Sequence, residues 1–129
     1  MPNRASCTFK IDSWEDSTWD QQDGVALAKA RLSKTFSGDL EGQSVVEMLS
    51  CQGSTEPSRA YVAIERIVGR LQDRSGSFVL LHAASAAGIS WTIVPDTATD
   101  ELRGLRGSAQ LAIGPDGGHS MTLEYELDN

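Results

Sequence analysis

A chain of 129 residues, 40% hydrophobic and 22% charged, is long enough for one buried core and too evenly mixed to be disordered or membrane-embedded. Its net charge of −7, with eight arginines and three lysines scattered along the chain, argues against a nucleic-acid partner. No apolar run nears the ~20 residues of a spanning helix, and the opening MPNRASCTFKIDSW lacks a long apolar segment, so a cytoplasmic location is expected.

The first segment, 4–11, places Cys7, Phe9 and Ile11 on one face and Ser6, Thr8 and Lys10 on the other, the pattern of a half-buried strand. An acidic stretch follows, with Asp12, Glu15, Asp16, Asp20 and Asp23 and no basic residue between Ile11 and Lys29. Its spacing fits no EF-hand, so a solvated loop is expected rather than a calcium site. Segment 26–37 overlaps GVALAKARLSKTF, whose alanines permit a helix as readily as a strand. Segment 42–52 sets Val45, Glu47, Leu49 and Cys51 opposite Val46, Met48 and Ser50. In 59–71, Tyr61, Ala63, Glu65 and Ile67 share one face, although Ile64, Ile67, Val68 and Leu71 also fall at helical spacing. Gly69 and the β-branched content favour a strand there.

Segment 76–83 ends on His82, one of two histidines, with Phe78 and Leu80 on the same face. Segments 88–95, 100–113 and 119–127 follow, and in the last Met121, Leu123, Tyr125 and Leu127 alternate with polar residues. The breaks are SGDLEG, QGSTEPS, QDRSGS, AASAAG, PDTATD and GPDGGH, all rich in turn-forming residues. Asp116-Gly117-Gly118 is the clearest hairpin signal. The reading is all-β, a single domain over 1–129 with no internal repeat, and eight antiparallel strands tend to close because closure removes exposed edges. Cys7 and Cys51 lack a CxxC partner, so buried free thiols are expected, without zinc.

Four motifs carry a resemblance: KTFSGDLEGQSVVEML, AYVAIERIVGRLQDRSGSFVLLH, WTIVPDTATDELRGLRG and LEYEL. In this order they resemble a bacterial family of unknown function, itself similar in fold to the allene oxide cyclase barrel. The resemblance spans roughly Ala5 to Leu127. It implies an eight-stranded antiparallel β-barrel, calycin-like in outline, and strands for the two segments that periodicity leaves open. It also implies a type of catalysis in which a lumen folds a flexible substrate.

If Tyr61, Ala63 and Glu65 point inward together with Phe78, Leu80 and His82, the lumen holds a carboxylate beside an imidazole. Desolvation would raise the carboxyl pKa, and the pair would suit general acid–base work. The competing reading pairs Glu65 with Arg66 or Arg70 at a rim and leaves His82 to cap a strand end. The candidate catalytic residues are therefore Glu65, His82 and Glu47, and the candidate ligand contacts are Tyr61, Phe78, Trp91, Met121 and Tyr125. A Ser77–His82–glutamate triad lacks its nucleophile elbow, and His82 and His119 form no H-x-H pair for a metal. LRGLRG reads as a strand bending at a barrel corner, with Arg103 and Arg106 outside.

Two functions fit. One is a cofactor-independent isomerase or cyclase acting on a small hydrophobic molecule in the lumen. The other is a non-catalytic hydrophobic-ligand-binding barrel or accessory subunit. No cofactor, metal, nucleic acid or membrane is expected in either. Both faces of the central strands are apolar, and a barrel has one interior, so the outside needs covering by the N-terminal loop, by a subunit or by both, and a homo-oligomer is expected.

Overall fold

Side chains that alternate between burial and exposure carry the sheet around on itself. In the computed structural model, which describes residues 3–128, eight antiparallel strands form a closed barrel in chain order. They are β1 (Asn3–Gln22), β2 (Val25–Gly38), β3 (Leu40–Gln52), β4 (Arg59–Leu71), β5 (Arg74–Ser85), β6 (Gly88–Ile93), β7 (Arg106–Ile113) and β8 (His119–Glu126). The closing seam sets Ala5 opposite Leu123 and Cys7 opposite Met121. Met1, Pro2 and Asn129, the ends of the domain expected over 1–129, lie outside the described residues. No helix among the described residues is long and apolar enough to cross a membrane.

Both segments that periodicity left open are strands, β2 and β4, because each is paired on both edges. The acidic stretch is not the loop its charge suggested. It continues β1, with Glu15 opposite Arg31 and Asp16 opposite Ala30, so its backbone is satisfied by β2. Asp23 and Gly24, at φ 53° and 81°, close this hairpin. Positive φ at both residues is what a tight turn matching the strand twist requires. The strand expected over 100–113 is shorter: a 3₁₀ turn, Asp100–Leu102, precedes β7 and sends buried Leu102 and Leu105 into the core. Arg103 and Arg106 are exposed, and Gly107 at φ 148° lies where a side chain would strike the Glu124 carbonyl. Arg103 and Arg106 thus lie outside as expected, but LRGLRG is a turn leading into β7 rather than a strand that bends.

Residues directly opposite in an antiparallel pair share a face, so register identifies the lumen. Its lower half is a packed core that includes Phe36, Leu40, Leu71, Phe78, Leu102 and Leu123. A separate cluster, Ala30, Leu32, Val46 and Ala63, lines the β2–β3–β4 wall above it. Farther up, inward positions end in large apolar side chains that remain wet. Trp14 lies opposite Leu32, Ile89 opposite Ala84 and Ile113 opposite His119, yet they are 50%, 66% and 65% exposed. The barrel is thus sealed below and open above, with an apolar rim.

Candidate functional site

Between the sealed floor and the open rim, four neighbouring strands aim polar side chains inward. β2 contributes Lys34, within the apolar series Leu32, Lys34, Phe36; β3 contributes Ser44; β4 contributes Glu65; β5 contributes His82. Register holds them close, with Lys34 opposite Ser44, and Glu65 and His82 opposite residues of the adjoining strands. All four are buried, and Glu65 is 0% exposed.

The Glu65 carboxylate is the hub. Ser44 Oγ donates to Oε2 at 2.5 Å, and Lys34 Nζ lies 3.4 Å from the same oxygen. His82 Nε2 lies 2.7 Å from Oε1. Lys34 Nζ also sits 4.5 Å from the Phe9 ring centroid and 5.1 Å from that of Trp91, so aromatic faces share its charge. His82 packs on Trp91 with ring centroids 3.9 Å apart. Lys34, Ser44 and Phe9 were missed by the sequence reading. The signal was a lysine at the inward parity of an otherwise apolar strand, but it carries meaning only once β2 is known to be a strand.

Burial by itself would push the Glu65 carboxyl up, as the sequence reading expected. The hydrogen bond from His82, the Lys34 charge and the Ser44 hydroxyl outweigh it and hold the carboxyl below the ordinary carboxylate range. Burial acts the opposite way on Lys34, lowering its pKa against the pull of Glu65. Glu65 is therefore an ionised acceptor rather than a proton reservoir. Because an ionised carboxylate can only accept, His82 Nε2 is the donor in this bond, and in a singly protonated ring Nδ1 is then the lone-pair nitrogen. Nδ1 has no protein partner among the described residues. The arrangement can orient an imidazole, stabilise its protonated form and present a base, as a carboxylate does for histidine in hydrolytic triads.

The reading that placed Glu65 at a rim with Arg66 or Arg70 does not describe this molecule, since Arg70 pairs with Glu41 outside. Glu47 must be removed from the lumen set. Its parity is outward, and it bonds Arg31 at 2.5 Å on the exposed face. Phe78, Met121 and Tyr125 point inward but belong to the packed lower core, where neighbours occupy the space that a ligand would need. Burial pushes the Tyr125 hydroxyl pKa up. Of the expected ligand contacts, Tyr61 packs at the upper wall and Trp91 against His82. Trp91 Nε1, fully shielded from solvent, also lacks a hydrogen-bond partner among the described residues.

A closed eight-stranded antiparallel barrel, floored by apolar side chains and carrying a lysine–glutamate–histidine cluster under an open rim, defines the class. The chain belongs to the DUF3224 family, described as a protein of unknown function, whose model matches residues 5–125. It is similar to a crystal structure of a DUF3224 protein of unknown function from Shewanella oneidensis MR-1, with 32% identity, full coverage of both chains and a TM-score of 0.91. No curated protein matches.

Proposed function

We propose that the protein is a cofactor-independent isomerase or cyclase acting on a small hydrophobic molecule held in the upper lumen. The observation that carries this reading is the Glu65–His82 pair, 2.7 Å apart and buried beneath an apolar mouth. Apolar walls hold the substrate in a reactive conformer, a contribution of up to roughly 7–11 kcal/mol in ideal cases. His82 Nδ1 takes a proton from one carbon of the substrate and returns it to another. Glu65 keeps the ring in the required tautomer and stabilises the imidazolium while it exists. Lys34 and Ser44 hold Glu65 ionised and in place.

A second reading, a non-catalytic hydrophobic-ligand-binding barrel or accessory subunit, is favoured by one observation: every oxygen of Glu65 already has a protein partner. On that view the cluster serves to fix the strand register. In both readings the partners are a small hydrophobic molecule and further copies of the chain, not nucleic acid or a membrane. The free thiols Cys7 and Cys51 suit a cytoplasmic, reducing setting.

A melting screen against flexible apolar metabolites separates the two. A ligand at 100 times its dissociation constant adds about 2.7 kcal/mol, a clear rise in midpoint. Catalysis requires that a bound compound be converted, and that His82→Ala and Glu65→Gln bind it without converting it. A compound bound equally by all three proteins and converted by none leaves the binder.

A further inference from the structure

Trp91 stands at the weakest seam of the barrel. The β6–β7 pairing consists of Trp91 opposite Ala109 and Thr92 opposite Ser108, whereas each of the other seams runs longer. Above Trp91, Ser90 and Ile89 pair with β5 and have no β7 partner. The inward neighbours are small, Ala63 and Ala109, and those nearer the rim, Met48 and Leu111, are only half-buried. Trp91 belongs to the buried core cluster, and the ladder on its β7 side is the shortest in the barrel.

An indole N–H is a donor that normally finds a partner when buried, because leaving it without one forfeits its hydration. Trp91 is 4% exposed and its Nε1 has no partner. Its ring lies against His82 and within reach of the Lys34 ammonium, so a ligand atom meeting this N–H sits beside the proposed base. Charge decides what that atom is. Lys34 and Glu65 cancel, so the pair has no net charge to offer an anion. A buried carboxylate would go uncompensated, and the −7 field of the molecule disfavours its approach.

We propose that the Trp91 indole N–H is the anchor for a neutral oxygen acceptor, a ketone, aldehyde, ester or ether, on the polar end of an apolar ligand. The inference rests on the upper lumen being the ligand site and names the chemistry of what enters it. It is independent of whether turnover follows.

The test is an indole ¹H–¹⁵N titration of the full-length protein with cyclohexanone, cyclohexane and cyclohexanecarboxylate, the Trp91 resonance being assigned through Trp91→Phe. Cyclohexanone should move the Trp91 proton downfield, cyclohexane should bind without that shift, and the carboxylate should bind at least ten-fold more weakly than the ketone. In Trp91→Phe the ketone should lose its advantage over cyclohexane. An unmoved Trp91 resonance, absence of ketone binding at tens of millimolar, or equal binding of carboxylate and ketone overturns the proposal. The wild-type titration stands even if the variant folds poorly. Ketone binding through Trp91 with no conversion of any compound sinks only the catalytic reading. Conversion with the indole unmoved sinks only this inference.

Discussion

Removing one charge of the Lys34–Glu65 pair strands the other in the interior, a loss that typically costs about 3–5 kcal/mol. Lys34→Met should therefore unfold at markedly lower urea. Adding Glu65→Gln should recover part of the loss, so the double-mutant cycle should be strongly non-additive. Additive losses would mean that the two groups do not interact. The same pair sets the acid limit of stability. Glu65 is held below its ordinary range in the folded protein, so below about pH 4.3 the unfolded chain binds a proton that the native state refuses. Its contribution is complete above that pH and is lost as pH falls through the folded value. Glu65→Gln should flatten this limb of the stability–pH curve, and an unchanged acid slope would contradict the assignment. Lys34 works on the alkaline side. Its lowered pKa means the folded state gives up that proton first, so stability rises as pH climbs from the folded value towards about 10.4.

Among the elements, β3, β4 and β5 cross at a row of glycines, Gly42 opposite Gly69 and Gly69 opposite Gly76. A Cβ on Gly69 would overlap the Glu41 carbonyl oxygen, and one on Gly76 would overlap that of Thr99. The row lets the lower sheet bend, and it lets the segment carrying Thr99 lie against β5. There Thr99 Oγ1 accepts the Ser77 amide at 3.0 Å, while Leu102 and Leu105 enter the floor. Gly69→Ala should cost roughly 1–3 kcal/mol, as overpacking against backbone does. Its thermal midpoint should fall while the circular dichroism of the folded state keeps its strand signature. A neutral result would show that the backbone there can move aside.

For the whole molecule, the outer surface of β3, β4 and β5 keeps Val45, Leu49, Val62, Ile64, Val68 and Leu81 at the surface. The N-terminal segment does not cover it, because that segment is spent in β1 between β2 and β8. Arg66 lies within this patch with no ion pair among the described residues, and Glu47 lies on the same face with its carboxylate exposed. A cation and an anion around an apolar centre support our proposal that a second copy of this chain covers this surface through a two-fold contact. Sedimentation should give a mass above one chain, and Ile64→Lys should return it to one chain with the fold intact. A single-chain mass for the wild type would remove this expectation.

Much of this protein is legible in its linear order. The strand faces of 4–11, 76–83 and 119–127 follow from period two, a local property, whereas for 59–71 it left helix and strand open and did not decide between an inward Glu65–His82 pair and a rim position for Glu65. Other features depended on what the chain meets after it folds. The acidic stretch reads as a loop until β2 supplies its backbone partners, and Glu47 resembles Glu65 in residue type while differing only in strand parity relative to a closed barrel. Lys34 is an ordinary lysine until closure brings it 3.4 Å from a buried carboxylate. The direction of the Glu65 pKa is likewise a tertiary result. Desolvation can be anticipated from an apolar strand, but the three donors that overcome it come from β2, β3 and β5, and only closure of the sheet brings them to one point.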